Sequence, residues 1–264
     1  VKRGVQIGDQ IAIKLNTKEF GRIAAQTARN IIRQGIKDGE KSLITQEFQS
    51  KQDSIVTALV ERVDVKTGAL TLRIGKAEST LPLSEQIGNE DVKEGDYIKV
   101  YLAEVKSTEK GPKIMISRSH PNFMRKLFES EVPEIADGTV EINFIAREAG
   151  SRSKVALVSH NPNVDPIGSC IGPQKTRLRA IMSEVGGEKI DLIPYSENLE
   201  EFVAAALAPA TVLRIEQDEE NPNYCKVVVP ANQFSLAIGN RGKNVRLAAR
   251  LTGKKIDIRS DSEI

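Results

Sequence analysis

The chain has no tryptophan, and aromatic residues together make up only 4% of it. Cores built from so few rings are small and aliphatic, so several modules are expected to share the 264 residues. Cys170 and Cys225 are the only thiols. Two are too few for a disulfide framework or a cysteine zinc site, and a reducing, cytoplasmic setting is expected. No run approaches the ~18 consecutive apolar residues of a membrane span. No basic start leads into an apolar core with a small-residue cleavage site, so no export signal is read. The chain starts on Val1, not Met, and a fragment or processed form is expected. Charge of one sign is lacking too: 38 Lys and Arg against 36 Asp and Glu leave +2, which identifies no partner. With 39% hydrophobic residues the chain can still build cores, which excludes wholesale disorder.

The balanced total hides a segregation. Residues 239–259 hold Arg241, Lys243, Arg246, Arg250, Lys254, Lys255 and Arg259 against Asp257 alone, a local +6. Residues 106–126 hold Lys106, Lys110, Lys113, Arg118, Arg125 and Lys126 against Glu109, a local +5. Acids collect at Glu216, Asp218, Glu219 and Glu220, where a hairpin loop is expected. Any one basic run is ordinarily a solvated face. Two of them close to glycine loops shift the reading toward a polyanion.

An internal repeat organises the C-terminal half. The run Ile171 to Leu192 returns as Ile238 to Ile258, offset by 67 residues and then 66 after one deletion near Gly187. Lys154-Val155-Ala156-Leu157-Val158 likewise matches Lys226-Val227-Val228-Val229. Two units are a duplication, not a solenoid. Each unit reads as a helix (Asn122–Glu131; Leu199–Leu207), then two strands (Thr139–Ala146 and Ser153–Ser159; Thr211–Glu216 and Cys225–Val229). A short helix, a glycine turn, a longer helix (Thr176–Val185; Asn244–Leu251) and a closing strand (Lys189–Ile193; Lys255–Arg259) complete it. Pro121 at a first helical position and Asn198 with Glu201 three residues on mark the leading helices. Gly186-Gly187 and Gly253 stop the longer ones. The order is α-β-β-α-α-β.

Upstream, Ile55–Val65, Ala69–Ile74, Glu78–Leu81, Tyr97–Val105 and Lys113–Ser117 read as five short strands with a helical turn at Pro82–Ile87. That pattern suggests a closed barrel of the OB type. Thr17–Phe48 carries a helical stripe through Phe20, Ile23, Ala24, Thr27 and Ile31, with Ile32 and Ile36 beside it. One strand is read through Ile11, Ile13 and Leu15. A helix and a strand cannot bury such a stripe, so residues 1–51 are expected to be the remnant of a larger domain. The expected fold is α+β and multidomain: 1–51, a barrel over 52–118, and the two repeat units over 119–196 and 197–264.

Gly239-Asn240-Arg241-Gly242, followed by Lys243, Asn244 and Arg246, lies between two helices. Glycines let a backbone approach a polyanion, the next helix offers free N–H groups at its positive end, and Arg241 and Lys243 add charge. A lone GxxG is usually only a tight turn. Inside a duplicated α-β-β-α-α-β unit and a basic run, it fits the type II KH fold, whose GxxG loop grips single-stranded nucleic acid. The first copy departs from the pattern: Gly172-Pro173-Gln174-Lys175, then Thr176, Arg177 and Arg179. Lys175 stands where the second glycine belongs. Either its charge replaces a backbone contact, or this copy packs against its twin; RNA binding is the favoured expectation. The stretch resembles a nucleotide P-loop only superficially, because Lys-Thr does not follow a glycine at the required spacing.

In the barrel, Tyr97, Lys99 and Tyr101 share one strand face, as a base-stacking platform would need. A half-buried strand with exposed tyrosines reads equally well, and strands 69–81 hold no aromatic. His120 and His160 sit alone in turn-like contexts with no metal-ligand spacing, and no enzyme is read.

These residues have a further resemblance. Ser117-Arg118-Ser119-His120-Pro121 leading into Leu127 to Ile135 is one landmark, and Ala146-Arg147-Glu148-Ala149-Gly150-Ser151-Arg152-Ser153-Lys154 is another. With Asp165 to Gly172, Leu236 to Gly239 and Asn244 to Ala248, the chain resembles the bacterial NusA family of transcription elongation, termination and antitermination factors over essentially its whole length. The resemblance implies the end of an N-terminal domain, an S1 barrel and two KH domains. It further implies a non-enzymatic, cytoplasmic factor that binds nascent single-stranded RNA and works with RNA polymerase and other antitermination factors. It implies no cofactor and no membrane, and a monomer is expected. Polymerase binding is placed in the N-terminal domain, of which little is expected here. The alternative is an S1/KH accessory of an RNA-degradation or ribosome-assembly complex.

Overall fold

The structure, a computed structural model, describes residues 17–88, 90–108, 111–217 and 221–263. The strand expected through Ile11, Ile13 and Leu15 and the acids Asp218 to Glu220 lie outside the described residues.

Helix α1 (Thr17–Ser50) runs for 34 residues. Its last turns are packed: Phe48 is buried, with Ile44 beside it, against the barrel core. Ile23, Ile31, Ile32, Ile36 and Leu43 stay exposed, so the stripe read from the sequence finds no cover among the described residues.

The barrel comprises β1 (Ile55–Val63), β2 (Leu70–Ile74), β3 (Ala77–Leu81), β4 (Tyr97–Thr108) and β5 (Gly111–Ser117), all antiparallel, in the order β3-β2-β1-β4-β5. Ser79 Oγ donates to the Ile114 carbonyl at 2.7 Å, drawing β3 toward β5 and nearly closing the sheet. Alternation puts Ala58, Val60, Leu70, Leu72, Val100, Leu102 and Ile116 inside. Strand β1 stops two residues short of the expected Val65 because Asp64 caps a turn, accepting from the Lys66 N–H at 2.9 Å.

Each repeat unit is a three-stranded sheet carrying helices, α+β as expected. The first has α2 (Pro121–Glu131), α3 (Pro133–Ala136), β6 (Val140–Glu148), β7 (Arg152–Ser159), α4 (Pro166–Ile171), α5 (Thr176–Glu184) and β8 (Lys189–Pro194). The second has α6 (Leu199–Ala206), β9 (Arg214–Gln217), β10 (Tyr224–Val229), α7 (Phe234–Ile238), α8 (Lys243–Thr252) and β11 (Lys255–Ser260). In both, the first strand pair is antiparallel and the closing strand joins parallel, the type II KH arrangement. Strand β9 begins three residues after the expected Thr211, whose N–H is taken by Gln233 Oε1 at 2.6 Å. Cys170 and Cys225 are buried. Burial pushes the Cys170 thiol up to about 12, so it stays protonated and unreactive.

Two seams fuse these modules. At the first, Tyr101 and Ile87 of the barrel join Phe123, Met124, Leu127 and Phe128 of α2 in one core. Arg118 and Arg147 lie over the Phe123 ring at 5.1 and 5.7 Å. Arg118 pairs with Glu90 and donates to the Glu184 carbonyl at 2.8 Å. Arg147 pairs with Glu188, both side chains fully enclosed, and donates to the Arg118 and His120 carbonyls. At the second seam α8 packs on β6 and β7, so Ala146, Ala156 and Ile193 share a core with Val203, Leu247, Ala248 and Leu251. Lys154, fully buried beneath it, reaches Asp191 Oδ2 and the Ala208 carbonyl, each at 3.1 Å. The two KH units therefore share one hydrophobic core.

Candidate nucleic-acid interface

The two glycine loops have one backbone geometry. Gly239 has φ/ψ 76/171, Arg241 54/30 and Gly242 73/15. Gly172 has 69/174, Gln174 52/24 and Lys175 63/24. The loop is closed in each by the fourth N–H donating to the first carbonyl, Gly242 to Gly239 at 3.0 Å and Lys175 to Gly172 at 3.1 Å. The first glycine is required by packing: a Cβ on Gly239 would sit 2.7 Å from Asn244 Cβ, and one on Gly172 2.7 Å from Arg177 Cγ. Lys175 therefore reproduces the glycine conformation in the left-handed region, where a side chain costs roughly 1–2 kcal/mol. Lys175→Gly is expected to raise stability by about 0.5–1 kcal/mol net, part of the relief being offset by glycine's greater freedom when unfolded. Denaturant titration of the variant checks this; a loss of stability would contradict it.

Behind each loop a helix starts without a side-chain cap, α8 after Gly242 and α5 after Lys175. Their first N–H groups have no partner within the helix, and the positive end of the dipole faces outward. Arg241, Lys175 and Arg179 are exposed, and their side chains make no ion pair or hydrogen bond among the described residues. Asn240, Pro173, Gln174 and Thr176 are exposed beside them, and Thr176 Oγ1 donates to the Pro173 carbonyl at 2.8 Å. This is an anion-binding arrangement, present twice.

Other expected contacts are engaged elsewhere. Asn244 is a correction: its side chain is buried and Nδ2 donates to the Leu207 and Ala237 carbonyls, each at 3.0 Å. It lies against Gly239 from within α8, and so supports the loop and is closed to a ligand. Arg177 pairs with Glu134 at 2.8 Å and donates to the Ser169 carbonyl at 2.7 Å, so it supports its loop from the side. Lys243 and Arg246 extend from the second repeat unit (KH2) to the first (KH1), the former donating to Ser151 Oγ at 2.6 Å and the latter to Glu148 Oε1 at 2.7 Å.

The stacking platform is also corrected. Tyr97 is exposed, but Tyr101 is buried under α2, where its hydroxyl donates to Asp53 Oδ1 at 2.7 Å and His120 stacks on its ring. Burial first, then the Asp53 bond, holds its phenol above the ordinary value. Lys99 Nζ lies 3.7 Å from Glu184. Tyr97 and Lys99 line an open groove with Glu90, Asp91, Asp96 and Glu184, chemistry that repels a phosphate chain. The basic run 106–126 also dissolves: Arg118 is buried, Lys106 pairs with Glu104, and Lys126 with Glu129. Sequence reasoning missed Glu148 and Ser151 beside the second loop, and counted Arg250 in the basic run 239–259 without assigning it to the site. Arg250 alone left a signal, lying at i+7 from Lys243 on one face of α8.

Comparison with known proteins decides the family. Residues 118–195 match the NusA-like first KH domain, 199–264 the NusA-like second KH domain, and 1–42 the NusA N-terminal domain. The chain is 48% identical over 258 residues to the transcription termination/antitermination protein NusA of Halalkalibacterium halodurans, covering 98% of this chain and 67% of that protein. The chain belongs to the NusA family. NusA of Bacillus subtilis is 48% identical over 97% of the chain and 68% of its own length. NusA of Thermus thermophilus is 46% identical over 96% of the chain and 65% of its own length. The chain thus spans about two thirds of these NusA proteins, and the KH-type loops described above fall inside both matched KH domains.

Proposed function

We propose that the chain binds nascent single-stranded RNA through its two KH loops and acts with RNA polymerase in pausing, termination and antitermination. The observation that carries this is the pair of similarly folded, uncapped glycine loops on units that share a core, each presenting exposed cations that no carboxylate neutralises among the described residues. The names of the NusA relatives supply the transcriptional context. Gly239, Asn240, Arg241, Gly242 and Lys243 make the second clamp, with Gly172, Pro173, Gln174, Lys175, Thr176 and Arg179 making the first. Tyr97 and Lys99 fall outside it. The factor is cytoplasmic and non-enzymatic, and among the described residues no helix is long and apolar enough to cross a membrane. Polymerase contact is assigned to the N-terminal part, where Ile23, Ile31, Ile32 and Ile36 of α1 are exposed among the described residues. The family favours this reading over service to a nuclease or to ribosome assembly.

Phosphate contacts release counterions, so affinity for unstructured RNA is expected to fall linearly on a log–log salt plot. With about four to six contacts the slope is about −3 to −4. Fluorescence anisotropy titrations across salt concentrations measure it. A salt-independent affinity would sink the clamp reading, and duplex RNA is expected to bind more weakly because a KH groove takes splayed bases.

A further inference from the structure

Three cations of α8 converge on one carboxylate of KH1. Arg246 Nε donates to Glu148 Oε1, and Lys243 Nζ donates to Ser151 Oγ on the same β6–β7 turn. The Arg246 hydrogen bond, with the nearby charges of Arg250 and Lys243, holds the Glu148 carboxyl below the usual range. The Arg250 side chain makes no ion pair or hydrogen bond among the described residues. Lys243, Arg246 and Arg250 are spaced i, i+3 and i+7, one face of one helix. Three positive charges against one negative leave this corner with a surplus. Solvent reaches it: the Arg246 and Glu148 side chains are 44% and 21% exposed. A partly exposed pair of this kind is held weakly and exchanges readily for another anion. Lys243 directly follows Gly242, so the corner is continuous with the second clamp.

We propose that the β6–β7 turn of KH1 is a wall of the KH2 clamp. Ser151, Lys243, Arg246 and Arg250 form a phosphodiester site at the KH1–KH2 seam, with Glu148 as a resident counter-anion that an RNA phosphate displaces. The proposal rests on the KH loops binding RNA and adds one contact for a strand that extends past a single groove. An arginine fork, an ammonium and a hydroxyl suit a phosphate oxygen, whereas a base edge would find only Glu148 and the Ser151 hydroxyl as side-chain acceptors for its donors.

The test titrates unstructured four- and twelve-nucleotide RNAs against the whole chain and its E148Q, R250Q and G242D variants. Four nucleotides fill about one KH groove. E148Q removes the competing charge and keeps the shape, so it is expected to tighten the twelve-mer about three- to tenfold and the four-mer by less than about twofold. R250Q is expected to weaken the twelve-mer by a similar factor, with the melting temperature of both variants near wild type. A merely structural bridge would instead lower the melting temperature and weaken both RNAs under E148Q, and that result overturns the proposal. So does an unchanged twelve-mer affinity. If G242D weakens RNA while E148Q and R250Q are silent, the seam site alone fails. If G242D is silent as well, the clamp reading fails with it.

Discussion

Gly242→Asp is expected to weaken single-stranded RNA binding by roughly thirtyfold while the protein stays folded. The carboxylate would stand about 5 Å from a clamped phosphate; at an effective dielectric near 20 two like charges there repel by about 3 kcal/mol, and salt reduces this to about 2. The folding cost is small because a Cβ on Gly242 meets no atom within 4 Å, and aspartate is among the residues that tolerate its left-handed φ of 73°. Lys175→Asp reverses a charge at the equivalent place in KH1 and is expected to weaken RNA too, with binding that needs about eight nucleotides to saturate, at about four per groove. If KH1 does not touch RNA, Lys175→Asp is silent and saturation falls to about four. Negligible losses for both variants in folded protein would mean that neither loop is the RNA site.

Glu188→Ala is expected to cost about 3–5 kcal/mol of stability. Glu188 is fully buried and accepts from Arg147 Nε at 3.1 Å, Arg147 Nη2 at 3.0 Å, the Gly150 N–H at 3.0 Å and Ser153 Oγ. Removing it strands a guanidinium that is itself enclosed, and two backbone carbonyls cannot compensate a full charge. Because Arg147 also ties the Arg118 and His120 carbonyls, the barrel–KH1 seam is expected to loosen in the same transition. Urea denaturation followed by circular dichroism measures the loss, and Glu188→Gln, which keeps an acceptor, is expected to cost less. A loss under about 1 kcal/mol for the alanine variant would show that the seam is held by its apolar core alone.

The repeat, its element order and its loops were legible because each is local. Strand alternation, Pro121 and Asn198 at helix starts and Gly253 at a helix end all act within a few residues, and the 67-residue offset placed both clamps. The loop geometry of KH1 could not be read: a lysine in the second-glycine position says nothing about φ until the surrounding packing forces it to 63°. What became of the charges lay beyond the sequence altogether. Arg118 and Arg241 look alike as residues in basic stretches, yet the first is sealed at a domain seam and the second faces solvent. Tyr97 and Tyr101 share one strand face, and α2 covers only the second. Ser151 and Lys243 are 92 residues apart in sequence, and only the docking of α8 on β6 and β7 brings them together. Which elements form and which loops can hold an anion follow from the order of residues alone, since backbone propensity and side-chain periodicity are short-range. Tertiary structure decided which cations remain free to hold it, because that depends on which carboxylates and carbonyls distant segments bring within hydrogen-bond reach.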